Sequence, residues 1–168
     1  MTNYYNWQSK VQELVPDDMR IGDDLLILEF ATYNDSFNVP RKVDVTTLIL
    51  LDKGESRAIV EGKEYHLKAP CLAIVMPNQT YCLLEASEEL HLRAIIMSNR
   101  FTANLMSSSL NRMVQKNPIL EISSDIISFN TYYKVLLHTV KSPIKSYRFE
   151  TAQHLTMSML YFYIRKLV

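Results

Sequence analysis

Ile59-Val60-Glu61-Gly62-Lys63-Glu64-Tyr65-His66-Leu67 is the stretch that decides the fold. A β-branched pair runs into a Glu-Gly turn. Beyond the turn, Tyr65 and Leu67 alternate with Glu64, His66 and Lys68. Period-two alternation beside a glycine turn predicts a hairpin with one face buried and one in water. The same grammar recurs on either side. Leu48-Ile49-Leu50-Leu51 runs into Asp52-Lys53-Gly54-Glu55, and Ala73-Ile74-Val75-Met76 runs into Pro77-Asn78-Gln79. Tyr81 to Leu84 and Leu90 to Met97 follow. Tight turns at such short spacing force antiparallel neighbours, and several in succession close into a sandwich or small barrel.

Working outward, Val43 to Leu51 is β-branched and aliphatic, with Val43, Val45, Thr47, Ile49 and Leu51 on one face. Leu25 to Tyr33 is apolar on both faces, which predicts a strand covered on both sides. Residues 1–24 read as an arm. Pro16-Asp17-Asp18 and Gly22-Asp23-Asp24 form turns there, and Trp7 with Tyr4 and Tyr5 is placed to anchor it on the body.

After Ser98 the alternation stops and no glycine follows. Phe101 to Lys116 predicts one or two short helices, broken at Asn117-Pro118. Ser123 or Ser124 suits the N-cap of a further helix carrying Ile126, Phe129, Tyr133, Leu136, Leu137 and Val140 at helical spacing. Ser142-Pro143 ends it, and a last helix starts near Lys145. That helix has two apolar stripes. Ala152, Leu155, Met159 and Phe162 form one; Met157, Leu160, Tyr161, Ile164 and Leu167 form the other. One stripe packs on the body. The second, with Met157, Leu160, Tyr161 and Ile164 at its centre, is expected to meet a second copy of the chain. The alternative is a helix covered on both sides by its own chain. The sequence stops at Leu167-Val168 without a capping signal, so more protein is expected to follow.

The expected class is therefore α+β: an antiparallel β-barrel or jelly roll at 25–98, then a helical layer at 99–168. Composition removes several functions. Eighteen basic and eighteen acidic residues cancel, so the chain has no overall basic excess for nucleic acid. No apolar run approaches the ~20 residues of a membrane span. The first ten residues carry no signal-peptide core, which points to the cytoplasm. With glycine only at 22, 54 and 62, phosphate-cradling loops are excluded. Cys71 and Cys82 fit no zinc spacing and read as reduced, partly buried thiols. His66 and His91 fall on faces opposite their apolar neighbours, and His138 and His154 lie on different helices. No pair of histidines shows metal-ligand spacing, and no carboxylate pair is marked for acid–base work.

Gly54-Glu55, Ile59 to Leu67 and Leu72 to Pro77 together resemble a cupin barrel. More closely, they resemble the sensor half of the AraC family of transcription regulators. There a cupin-like barrel is followed by helices and then by a helix-turn-helix DNA-binding domain. The stretch from Phe101 to Val168 is similar to that family's dimerising and linker region. Metal-dependent cupins carry two close histidines and a glutamate before the first turn glycine. Here that region reads Arg41-Lys42-Val43, and Thr47 stands at the glutamate position. Tyr81 or Cys82 stands where a later histidine belongs, and Ala69-Pro70 replaces a glycine.

The resemblance thus implies a non-enzymatic sensor without metal or cofactor. Its effector would be a small molecule such as a sugar or metabolite, bound by Thr47, Tyr65, Tyr81 and Arg93. It implies a homodimer, with DNA bound only through a domain outside this sequence. Two rival readings remain: a stand-alone cupin enzyme or small-molecule-binding protein, and a dimerisation module whose barrel is simply filled.

Overall fold

The computed structural model describes residues 3–4, 15–31, 35–103 and 108–167. Trp7 and Tyr5, assigned above as arm anchors, lie outside the described residues, as does Val168. The strands are β1 (Asn3–Tyr4), β2 (Arg20–Ile21), β3 (Leu25–Phe30), β4 (Arg41–Lys42), β5 (Thr46–Lys53) and β6 (Glu55–Val60). They continue with β7 (Lys63–Lys68), β8 (Cys71–Val75), β9 (Thr80–Ala86), β10 (His91–Met97) and β11 (Ile119–Glu121). One sheet has the order β1-β4-β9-β6-β7, the other β11-β8-β5-β10-β3-β2. Every pairing is antiparallel except β1 with β4. The helices are α1 (Asn99–Thr102), α2 (Ser108–Lys116), α3 (Ile126–Lys141) and α4 (Arg148–Ile164).

The α+β class with a following helical layer is as expected, but the barrel is not closed. Closure needs free strand edges that meet. Here the outer edge of β8 is taken by β11 and that of β3 by β2, so among the described residues the two sheets stay separate. The result is a two-sheet sandwich.

The six-stranded sheet is buried on both faces, and β5 shows why its sequence lacks a polar side. Leu48 and Leu50 join the core under the helices, with Leu25, Ile27, Ile74, Met97, Phe129, Leu136 and Tyr163. Leu51 and the partly buried Ile49 face the core between the sheets, with Leu26, Ala58, Leu67, Leu92 and Ile96. The five-stranded sheet has one wet face. There Arg57 donates to Glu64 and Glu85 at 2.7 Å each, across neighbouring strands. These exposed pairs add little stability; their main effect is to keep the pairing in register.

The change of period at Ser98 is a capping event. The Ser98 hydroxyl accepts from the Phe101 N–H at 3.1 Å and donates to Asp24 at 2.7 Å, starting α1. The break at Asn117-Pro118 is also present, but it leads into β11, which helical reasoning missed. The carbonyl of Pro118 accepts from the Ile74 N–H at 2.8 Å and so guides Ile119–Glu121 onto β8. Asp125, rather than Ser123 or Ser124, occupies the N-cap of α3. Its carboxylate is claimed by the end of α4. Lys166 and Arg165 reach it, and Lys166 also donates to Ser124 at 2.8 Å. The hydrogen bond from Lys166 is the main reason that Asp125 titrates below the usual carboxylate range.

Two hairpin glycines make a stability test. Gly54 has φ +84°, and a Cβ there would lie 2.4 Å from Ser87 Oγ and 3.1 Å from the Leu90 backbone. Gly62 has φ +76° and open space around it. Gly62→Ala is expected to cost about 1 kcal/mol from backbone strain alone. Gly54→Ala is expected to cost at least about 2 kcal/mol, because Leu90 must also move. Urea denaturation of the two variants measures the difference; equal losses would contradict it.

Candidate functional site

Of the four residues assigned to a ligand, the structure faces Thr47 and Tyr81 towards the space between the sheets. Thr47 is 6% exposed and alternates with Leu48 and Leu50, which point the other way. Tyr81 is half-buried and packs on the inter-sheet core, opposite Val60 in register. Tyr65 shares the face of Leu67 but stands at the rim on edge strand β7, half-buried, with Lys63 Nζ 5.2 Å from its ring centre. Arg93 does not join them. It lies on the opposite face of the six-stranded sheet, with Ile95 and Met97, beneath α3.

There Arg93 is the centre of a polar cluster. It is 9% exposed. Its Nε donates to Asp52 Oδ2 at 2.7 Å, and Nη2 donates to Asp52 Oδ1 and to Asn130 Oδ1 of α3. The guanidinium lies 4.4 Å from the ring centre of Tyr133, also on α3. The Tyr133 hydroxyl donates to Glu29 of β3 at 2.6 Å. Burial pushes the Tyr133 phenol well above its ordinary pKa, and the bond to Glu29 adds to the rise. His91, on the face opposite its apolar neighbours, is half-buried and lies 2.8 Å from Asp52. A groove of about 720 Å³ opens over this cluster, lined in part by Glu29, Asp52, His91, Arg93, Asn130 and Lys134.

The sequence did carry a sign of this cluster. Glu29 and Arg93 are single formal charges in strands otherwise largely apolar on both faces, and such charges require partners. Among the described residues, no group of three His, Cys, Asp or Glu side chains is placed to hold a metal ion.

Both cysteines are free and buried. Cys71 belongs to the inter-sheet core at 3% exposure, and burial pushes its thiol up to about 11. A thiol so protonated and enclosed is a poor nucleophile. Cys71 is therefore expected to react with a maleimide at pH 8 only when the sandwich opens, at least ~100-fold slower than in urea. Mass spectrometry of the labelled protein reads this; rapid native labelling would contradict a closed inter-sheet core.

The second stripe of the last helix is divided by the structure. Leu160 is 2% exposed, buried by its own chain. Met157 and Ile164 pack half-buried against the same core, and Tyr161 is 60% exposed. The buried face of α4 is Ala152, Thr156, Met159, Leu160 and Tyr163. Neither stripe read from the sequence had this composition.

Comparison with solved structures fits this geometry. A structure of apo ToxT K231A from Vibrio cholerae strain SCE256 matches 86% of this chain and 57% of its own, with TM-score 0.54 and 11% identity. The AraC-like transcriptional activator CuxR matches 80% of this chain and 51% of its own, with TM-score 0.53 and 11% identity. The chain shares the fold of AraC-like transcription regulators. It spans a little over half the length of the two regulators it matches. No family model matches the sequence, and no curated protein does. No described helix is long and apolar enough to cross a membrane.

Proposed function

We propose that this chain is the effector-sensing and dimerising part of an AraC-type regulator. It is non-enzymatic and cytoplasmic, and it controls a DNA-binding domain outside this sequence. The observation that carries the reading is the sheet buried on both faces. Thr47 lies on its inner face, and its outer face packs against α3 and α4. A small effector held between the sheets by Thr47, Tyr81 and Tyr65 acts on strands whose other side supports the helices. Such an effector shifts the helical layer only by the difference in its affinity for two arrangements. The strands from Leu25 form the sensor and the helices from Asn99 form the output.

A thermal-shift screen of sugars and small metabolites tests this. A ligand at about 100 times its Kd adds about 2.7 kcal/mol, roughly 5–10 °C for a domain of this size. Thr47→Val together with Tyr81→Phe is expected to abolish the shift. A screen in which nothing stabilises the protein, or a shift that survives both substitutions, would sink the effector assignment. The homodimer is tested at Tyr161, the exposed member of its stripe. Tyr161→Glu is expected to convert a dimer to a monomer in sedimentation, and a wild type monomeric at high concentration would refute it.

A further inference from the structure

Phe129, Leu136 and Val140 of α3 lie in the apolar core that the helix shares with the sheet. The hydrophobic term is non-directional and does not by itself aim one residue of the helix at one residue of the sheet. The Arg93 cluster is the exception. Glu29, Asp52 and Arg93 come from three adjacent strands, β3, β5 and β10, and Arg93 stands directly opposite Glu29 in register. Asp52 grips the guanidinium by two oxygens, which sets its plane. Asn130 and Tyr133, adjacent along one side of α3, then meet it by a hydrogen bond and a cation–π contact. A slide of α3 by one turn, about 5.4 Å, breaks both. Within β10, the neighbours of Arg93 are Leu92 and Ala94, which belong to the inter-sheet core.

We infer that Arg93 is the positioning residue through which the state of the inter-sheet core sets the placement of α3. The purpose of this joint rests on the sensing function proposed above; its existence does not.

The test uses the whole chain and no ligand. Leu92→Val trims the inter-sheet core beside Arg93, and amide chemical shifts across Ile126–Lys141 report the placement of α3. In the otherwise native protein, Leu92→Val is expected to move these amide signals. With Asn130→Ala, which leaves the grip of Asp52 on Arg93 intact, the response is expected to fall at least twofold. Asn130→Ser, too short to reach Arg93, gives the same loss. Asn130→Asp keeps an acceptor for Nη2 and restores the response, which a merely structural role for Asn130 would not produce. An α3 that does not respond in the native background, or one that responds equally without the Asn130 acceptor, overturns the inference. So does Asn130→Asp behaving like Asn130→Ala. Because no effector is added, failure here leaves the ligand screen standing, and failure of the screen leaves the joint standing.

Discussion

Arg93→Met is expected to lower the free energy of unfolding by about 3 kcal/mol, measured by urea denaturation with an unchanged m-value. The guanidinium and the Asp52 carboxylate are 11% and 15% exposed, so neither charge is well hydrated. Removing one partner leaves the other buried, which typically costs about 3–5 kcal/mol. The lower end applies because the His91 ring remains 2.8 Å from Asp52, within hydrogen-bonding distance of its carboxylate. The double substitution Arg93→Met with Asp52→Leu is expected to recover most of the loss, since a well-packed apolar pair often matches a buried ion pair. A single variant that loses less than about 1 kcal/mol would show that Asp52 finds water in the groove.

Phe129→Ala is expected to cost about 3–5 kcal/mol, the range for truncating a buried phenylalanine. Phe129 is 1% exposed and lies in the core that joins the outer face of the six-stranded sheet to α3 and α4. Its ring stands 5.9 Å from that of Phe162 on α4, so the truncation also strips a partner from the second helix. Because this core is continuous from Leu25 to Tyr163, helices and sheet are expected to unfold together. Far-ultraviolet and near-ultraviolet dichroism should therefore give one superimposable transition, shifted to lower denaturant. Helical signal lost ahead of the near-ultraviolet signal would mean that the helical layer is a separate unit.

The sandwich was legible because its strands carry period two and its hairpins carry glycine at positive φ. The pattern Tyr65, Leu67 against Glu64, His66, Lys68 reports a one-sided sheet, and β7 is one. Apolar residues on both faces at Leu25–Phe30 report burial from two sides, and β3 has it. The open barrel was not legible, since it depends on β2 and β11 covering strand edges. Strands of two and three residues are too short to show a period. The face of the last helix was misread for a similar reason. The tyrosines and methionines of α4 serve buried and exposed positions alike. Tyr163 is fully buried, its hydroxyl bonded to the Asn117 carbonyl, while Tyr161 is exposed. Apolarity alone cannot separate them. At the candidate site, alternation oriented Thr47 correctly. Period two equally separates Arg93 from Leu92 and Ala94, and the error lay in drawing all four assigned residues towards one space.

The strands that end each sheet bear on how this protein behaves when concentrated. A long bare margin would template the pairing of another molecule and seed cross-β fibres. Among the described residues, the margins include β2 and β11, of only two and three residues. Another margin, β7, brings Lys63, Glu64 and Lys68, side chains that discourage a stacking neighbour. Growth by ribbon extension is thereby suppressed.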